Sequence, residues 1–236
     1  MSLFLLAKDY FSSLLDLFYP ESCHACETPL LEHESHVCVF CQFSIFTINY
    51  NSQKGDVAES RFSEQPVDGV VGLMRYQKKG SSQALINKIK YHGETSLGFY
   101  LGQQLGERVK ASRDIGKIDF IIPVPLHSAK FKSRGFNQAE VIARGVADVV
   151  SCPVLSGFLV KKVNNSTQTK RGRLSRWKNT DMAYGFSLNE DKLVGKNVLL
   201  VDDVLTSGAT LTSCSKQIEL AGAAKKYVAV LAIAGE

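Results

Sequence analysis

Two adjacent acidic residues, Asp202 and Asp203, follow the apolar run "NVLLV" and precede the loop "TSGAT" of residues 206–210. The run is rich in Val and Leu, which predicts a central parallel strand, and ligands of open α/β sheets bind at the carboxyl ends of such strands. The loop is expected to open a helix, so its N–H groups, hydroxyls and positive helix end could hold one phosphate. Ribose hydroxyls, with Mg²⁺ nearby, would explain two carboxylates beside that phosphate.

The predicted phosphate loop consists of Thr206, Ser207, Gly208, Ala209 and Thr210. Gly208 would allow the backbone to approach the ligand closely. Two alternatives exist for Asp202 and Asp203. A receiver domain also has an acidic pair at a strand end, and the two aspartates could instead be capping residues on the protein surface. Neither alternative explains the Thr-Ser-Gly-Ala-Thr run. The GxxxxGK[ST] pattern is absent, so nothing supports hydrolysis of a nucleoside triphosphate.

Four cysteines near the N-terminus form two CxxC pairs that are separated by eleven residues: Cys23, Cys26, Cys38 and Cys41. This spacing is typical of two knuckles whose thiolates meet around Zn²⁺. A closed set of four soft ligands leaves no position for water, so we predict a structural zinc ion. The alternatives are ligation by His24, His33 or His36, and four thiols without a metal.

Basic residues follow a second predicted strand, "IDFIIPVP", and should therefore lie at the same edge of the sheet. They are Lys130, Lys132 and Arg134, and Lys90 could reach the same place. An anion-binding site is one interpretation, and a solvated basic face is the other. For Lys90 the alternative is a lysine that interacts with the helix dipole.

Apolar runs alternate with helical patterns after residue 62, including strand-like "VDGVVGLMRY", "GFLVKKV" and "KKYVAVLAIA". Strands separated by helices predict an α/β fold with a mainly parallel sheet and helices on both faces. We therefore expect residues 1–60 to hold a helix, the cysteine module and a linker. Residues 61–236 would form the α/β domain.

Charge is distributed unevenly along the 236 residues, whose net charge is +5. Residues 1–60 carry two Lys and eight acidic residues, a net charge of −6, so the remainder carries +11. Strong basicity in the larger part indicates an anionic ligand, either a phosphorylated small molecule or a nucleic acid. A signal peptide and a membrane-spanning segment are not expected, so we predict a cytoplasmic protein whose cysteines are not in disulfides.

The motif "VLLVDDVLTSGATL" resembles the signature of type I phosphoribosyltransferases over its whole length. The cysteine-rich start, "KYHGE", "IIPVPLHSAKFKSRGFNQAE" and "NNSTQTKRGRLSRWKNTDMAYGF" occur with it in the order typical of the ComF family. This resemblance covers nearly the entire chain. It implies a phosphoribosyltransferase fold, a divalent metal such as Mg²⁺, and a role in DNA uptake or utilisation with the uptake machinery as partner.

By this resemblance, Asp202 and Asp203 would hold the ribose hydroxyls of phosphoribosyl pyrophosphate (PRPP), and the 206–210 loop would hold its 5′-phosphate. The four basic residues named above would bind pyrophosphate, whose growing negative charge they would stabilise. The reaction would displace pyrophosphate with an unknown nitrogen nucleophile. Related enzymes for 6-oxopurines have an aspartate at the position of Thr206, so we do not expect a hypoxanthine or guanine salvage role.

The segment from Lys161 to Lys178 has seven basic residues and no acidic one. In phosphoribosyltransferases a long loop at this place closes over the substrate and excludes water, so a lid is one interpretation. Another is a solvated loop whose Trp folds onto the core. The third is a contact with single-stranded DNA, because cations around the single Trp can follow phosphates while the ring stacks on a base. The residues concerned are Arg171, Arg173, Arg176, Trp177 and Lys178. A non-catalytic DNA-binding adaptor is therefore the alternative to an enzyme.

Overall fold

The computed structural model describes residues 20–46, 57–62, 65–161, 184–187 and 190–235. The predicted N-terminal helix, and the basic residues from Arg171 to Lys178, lie outside these ranges. The helices are α1 (Val39–Ile45), α2 (Val57–Ser60), α3 (Ser81–His92), α4 (Thr95–Ala111), α5 (Ser128–Arg134), α6 (Gln138–Val150) and α7 (Ala209–Leu220), with a 3-10 turn at Glu190–Leu193. The strands are β1 (Gly69–Tyr76), β2 (Phe120–Pro123), β3 (Leu159–Lys161), β4 (Tyr184–Phe186), β5 (Asn197–Leu205) and β6 (Lys225–Ala234).

Four strands form a fully parallel sheet in the order β1-β6-β5-β2. Strand β5 has a parallel neighbour on each side, and its first residues are buried in an unbroken run from Val198 to Val201. This agrees with the prediction from its apolar sequence, because a central parallel strand is covered on both faces. The acidic pair follows directly, at the carboxyl end of β5.

Each face of the sheet carries its own apolar core. Leu199 and Val201 of β5 pack with residues of α3, α4 and α6, and the cysteine module joins the same cluster through Val37 and Phe46. Val198 and Leu200 point to the other face, where they pack with α7 and residues 57–62. The alternation has the period of two that a strand imposes, so the sheet separates two helical layers as predicted.

Glycine residues lie where helices α4 and α6 pack against each other. A β-carbon at Gly102 would collide with the carbonyl oxygen of Ile142, and one at Gly145 would collide with that of Phe99. Only residues without a side chain allow the two backbones to approach so closely. This packing holds α6, whose first residue lies at the carboxyl edge of the sheet.

Two parts of the chain differ from the sequence prediction. The segment "GFLVKKV" contributes β3, but this strand pairs antiparallel with β4 in a separate two-stranded sheet. The basic segment after β2 contains the short helix α5, which the sequence did not predict. Within the described ranges, no helix is long and apolar enough to cross a membrane.

Candidate functional site

A cavity of about 340 Å³ opens at the carboxyl end of the sheet, between the loops that follow β2 and β5. The N–H of Val124 donates to the carbonyl of Val201 (2.9 Å), which holds these two strand ends together. The predicted site residues among its lining are Lys90, Lys130, Arg134, Asp202, Asp203, Thr206 and Thr210. The fold therefore collects side chains from α3, α5, β5 and α7 around one space.

Asp203 is almost fully buried, with 6% of its surface exposed. Lys90 Nζ donates to its Oδ1 (2.9 Å) and Gln138 Nε2 donates to its Oδ2 (2.8 Å). Burial of a carboxylate costs free energy because its charge loses hydration. The ion pair on one oxygen of Asp203 and the hydrogen bond on the other offset this cost. Asp203 is thus held in one orientation at the wall of the cavity.

Asp202 has a different environment. Its Oδ1 accepts the backbone N–H of Asp203 (2.8 Å), and no hydrogen bond to Oδ2 is seen from the described residues. Burial, followed by the negative charge of Asp203, raises the pKa of Asp202 to about 8. The backbone hydrogen bond from Asp203 and the positive charge of Lys90 lower this pKa, but by less. A bound cation or a ribose hydroxyl donor would favour the charged form of this carboxyl group.

The loop of residues 206–208 joins β5 to α7. Gly208 is left-handed, with φ of 81°, and a β-carbon there would lie 3.0 Å from the carbonyl oxygen of Arg61. The glycine is therefore required by its backbone conformation and by residues 57–62 behind the loop. Thr206 and Thr210 line the cavity, whereas Ser207, Gly208 and Ala209 are not in its lining.

The opposite side of the cavity is basic. Lys130 and Arg134 come from α5, and the Arg134 guanidinium lies 5.6 Å from the centre of the Tyr91 ring. Lys132 is exposed on the same helix and is not in the lining. Lys90 also faces the cavity, but it forms the ion pair with Asp203, which the sequence did not predict.

Nine further residues line the cavity, and those with polar or ionisable side chains are Tyr91, His127, Gln138, Lys161 and Tyr184. Lys161 and Tyr184 come from the β3–β4 hairpin, and the Lys161 ammonium lies 5.6 Å from the centre of the Tyr184 ring. His127 precedes α5 and its Nδ1 accepts the N–H of Ala129 (3.2 Å). His127, Gln138 and Tyr184 lie within the motifs that carry the family resemblance, and Lys161 begins the basic segment, but none of them was assigned a ligand from the sequence.

The four predicted metal ligands come together in the cysteine module. Their sulfur atoms all lie within 4.8 Å of one another, and Cys26 Sγ lies 3.7 Å from Cys38 Sγ. A tetrahedron with Zn–S bonds of about 2.3 Å has edges of about 3.8 Å, so the cluster has the right size for one zinc ion. None of the histidines considered as alternatives belongs to this cluster.

Hydrogen bonds to sulfur support the same assignment. The N–H groups of Ala25 and Cys38 donate to Cys23 Sγ at 3.4 and 3.3 Å. The Thr28 hydroxyl, followed by the Thr28 backbone, lowers the pKa of Cys26 to about 6, whereas burial raises the pKa of Cys41. Donors aimed at sulfur stabilise thiolates, so the module fits a structural zinc site.

Comparison with known proteins agrees with this architecture. The phosphoribosyl transferase domain family matches residues 133–235. Competence protein F of Haemophilus influenzae is 29% identical over 143 residues, which cover 58% of this chain and 62% of that protein. Competence protein ComFC of Bacillus subtilis is 30% identical over 91 residues, which cover 39% of this chain and 34% of that protein. The chain has the ComF-family phosphoribosyltransferase fold.

These alignments extend over less than two thirds of either competence protein. Among solved structures, a glutamine phosphoribosylpyrophosphate amidotransferase from B. subtilis aligns with 58% of this chain and 26% of its own chain, at 21% identity and a TM-score of 0.42. The domain match begins at residue 133 and includes Arg134, the acidic pair and the 206–210 loop. It leaves out the cysteine module and Lys90.

The raised pKa of Asp202 predicts a measurable effect on the stability of the protein. The folded state binds more protons than the unfolded state between about pH 4 and about pH 8, so the free energy of unfolding should fall as pH rises through this range. Asp202→Asn removes the charge and should raise Tm at pH 8 by about 4–8 °C, or about 2 kcal/mol, with a smaller gain at pH 5.

Thermal melts of Asp202→Asn, wild type and Glu107→Gln at both pH values test this expectation. Glu107 is exposed on α4 and serves as a matched control for the loss of one carboxylate. An equal Tm difference between Asp202→Asn and wild type at the two pH values would contradict the raised pKa.

Proposed function

We propose that the cavity binds PRPP together with Mg²⁺ and transfers its phosphoribosyl group to a nitrogen nucleophile. The observation that carries this proposal is the convergence of the acidic pair, the threonines at the two ends of the phosphate loop and several basic side chains on one cavity. Each of these groups matches one part of PRPP: hydroxyls of the ribose, the 5′-phosphate and the pyrophosphate.

The 5′-phosphate would lie against the 206–210 loop. The first N–H groups of α7 have no partner within the helix, and the helix dipole places positive charge at this end. Thr206 and Thr210 add hydroxyl donors from the cavity side. The ribose would then extend toward Asp202, whose free Oδ2 could accept a hydroxyl.

The pyrophosphate would lie on the basic side, near Lys130 and Arg134. Transfer breaks the bond between ribose C1 and the pyrophosphate oxygen and forms a bond from C1 to the acceptor nitrogen, while the leaving oxygen keeps the electron pair. The two cations would stabilise the charge that develops on that oxygen. Carboxylate and phosphate oxygens suit Mg²⁺, which would neutralise pyrophosphate when bound, with Asp202 as the protein ligand.

For the acceptor we propose only a chemical class, a nitrogen nucleophile. Thr206 stands where 6-oxopurine enzymes have an aspartate, so an acceptor other than hypoxanthine or guanine is expected. The names of the relatives refer to competence, and we propose that this chain acts in DNA uptake or utilisation. The cytoplasmic location stays a prediction.

The DNA-binding adaptor is not proposed as a second function. Its candidate contact, from Arg171 to Lys178, lies outside the described residues, and the charge of +11 after residue 60 fits a phosphorylated small molecule as well as a nucleic acid. The lid interpretation of the same segment stays a prediction for the same reason.

Isothermal titration calorimetry with PRPP tests the binding step. Wild type should bind one PRPP per chain in the presence of Mg²⁺, and Thr206→Val should bind it about tenfold more weakly because one hydrogen bond to a charged group is lost. Thr212→Val makes the same change on α7 outside the cavity lining and should leave the affinity unchanged. Absence of PRPP binding by the wild-type protein would overturn the proposed function.

A further inference from the structure

Gln138 connects the two charged sides of the cavity. Its Nε2 donates to Asp203 Oδ2 (2.8 Å), and its Oε1 accepts from the guanidinium of Arg134. Only 7% of the residue is exposed, so water contributes little to these interactions. One buried amide therefore touches a carboxylate proposed for the ribose site and a cation proposed for the pyrophosphate site.

The backbone at the start of α6 is fixed independently of this contact. Asn137 caps the helix, with Oδ1 accepting the N–H of Ala139 (3.1 Å) and Nδ2 donating to the carbonyl of Val124 (3.0 Å). Val124 in turn bonds to Val201 of β5. The position of Gln138 is thus tied to the strand end that carries the acidic pair, whatever its own side chain does.

The chemistry of an amide matches this place. A neutral amide has donors on nitrogen and acceptors on oxygen, so it can satisfy a carboxylate and a guanidinium at the same time. A carboxylate at this position would repel Asp203, and an ammonium would repel Arg134. The two contacts also fix which end of the amide faces which partner.

We propose that Gln138 is a positioning residue, which orients Asp203 and Arg134 together for PRPP; this inference rests on the proposed function. Without the amide, Asp203 would keep Lys90 as its side-chain partner among the described residues, and Arg134 would keep its contact with the Tyr91 ring. Each group would then adopt several orientations, and binding would have to select the productive one.

Two variants separate positioning from packing. Gln138→Met keeps the length of the side chain and loses both hydrogen bonds, and we expect the Kd for PRPP with Mg²⁺ to rise about tenfold or more. Gln138→Glu keeps an acceptor for Arg134 and places an oxygen against Asp203. Its Kd should rise about tenfold or more at about pH 8 and return toward the wild-type value at about pH 6, because a protonated carboxyl group again donates to Asp203.

The charged and titratable side chains that line the same cavity are Lys90, Tyr91, His127, Lys130, Arg134, Lys161, Tyr184, Asp202 and Asp203. Wild type is titrated at the same pH values, so that protonation of PRPP and of these groups is common to both proteins. Gln103→Met is the matched control, since Gln103 Nε2 donates to Asp148 Oδ2 (2.9 Å) away from the cavity. Its PRPP affinity should equal that of wild type.

The results distinguish the two levels of the proposal. If wild type binds PRPP, a Gln138→Met variant with wild-type affinity overturns the role of Gln138 alone. A Kd for Gln138→Glu that is raised by the same factor at both pH values also overturns it, and this measurement suffices if Gln138→Met does not fold. If wild type does not bind PRPP, the proposed function fails and the positioning role fails with it.

Discussion

The Asp202→Ala variant is expected to release pyrophosphate from PRPP at least about 100-fold more slowly than wild type, because the carboxylate proposed to hold the ribose and Mg²⁺ is lost. The measurement is pyrophosphate release in the presence of Mg²⁺ and a panel of purine and pyrimidine bases and ammonia. Rates are compared with the acceptor that gives the highest wild-type rate. The effect should appear in kcat, since the lost contact acts on the reacting sugar.

Two features make this result interpretable. The loss of the charge of Asp202 is expected to stabilise the fold at neutral pH, and a thermal melt of Asp202→Ala at the assay pH separates a loss of rate from unfolding. Glu107→Ala removes an exposed carboxylate on α4 and should retain the wild-type rate. Equal rates for Asp202→Ala and wild type would contradict the assigned role of Asp202, whereas no release with any acceptor would leave only PRPP binding as the function of the cavity.

The Cys38→Ser variant is expected to contain no zinc, whereas wild type contains about one zinc ion per chain. Cys38 supplies one of the four sulfur atoms, and its N–H donates to Cys23 Sγ (3.3 Å). The free energy of metal binding contributes to folding of such modules, so Tm should fall by at least about 5 °C. Metal analysis and thermal melting of the full-length protein measure both effects.

Cys152→Ser is the matched control for loss of a buried thiol. Cys152 lies near the start of β2, where its thiol contacts the carbonyl oxygen of Ile118 (3.6 Å), and it is not part of the metal cluster. This variant should keep its zinc. Retention of one zinc ion by Cys38→Ser, with an unchanged Tm, would show that the four cysteines do not form a structural metal site.

The parts of the fold that the sequence predicted have strong periodic or compositional signals. Strand β5 has an apolar run that is buried on both faces, and the two CxxC pairs have a spacing that brings four sulfur atoms together. Helix α6 has an amphipathic pattern of buried residues, including Ile142 and Val146. These signals are local, so they can be read without knowledge of the tertiary structure.

The parts that were missed have weak local signals. Helix α5 has seven residues, none of them buried, so no apolar period marks it. Strand β3 was predicted, but its partner β4 has three residues and is separated from β3 by 22 residues, which leaves too little pattern to predict their pairing. Residues that are distant in sequence form the Lys90–Asp203 and Gln138–Asp203 contacts, and only the packing of α3 and α6 against the sheet brings them together.

The acidic pair shows the same limit within the candidate site. Its position at the end of a central strand followed from the sequence, but the difference between its two members did not. Asp203 accepts a hydrogen bond on each oxygen, whereas Asp202 has a raised pKa and, among the described residues, no partner for Oδ2. This asymmetry depends on burial and on partners from other helices, and it makes Asp202 the proposed ligand for ribose and metal.

A crystal structure of the protein with PRPP and Mg²⁺ tests the central claim most directly. We predict that the 5′-phosphate lies on the N–H groups of residues 207–210, that a ribose hydroxyl lies within hydrogen-bond distance of Asp202, and that the pyrophosphate lies near Lys130 and Arg134. PRPP bound away from this cavity, or a cavity that stays empty at saturating PRPP, would contradict the proposal.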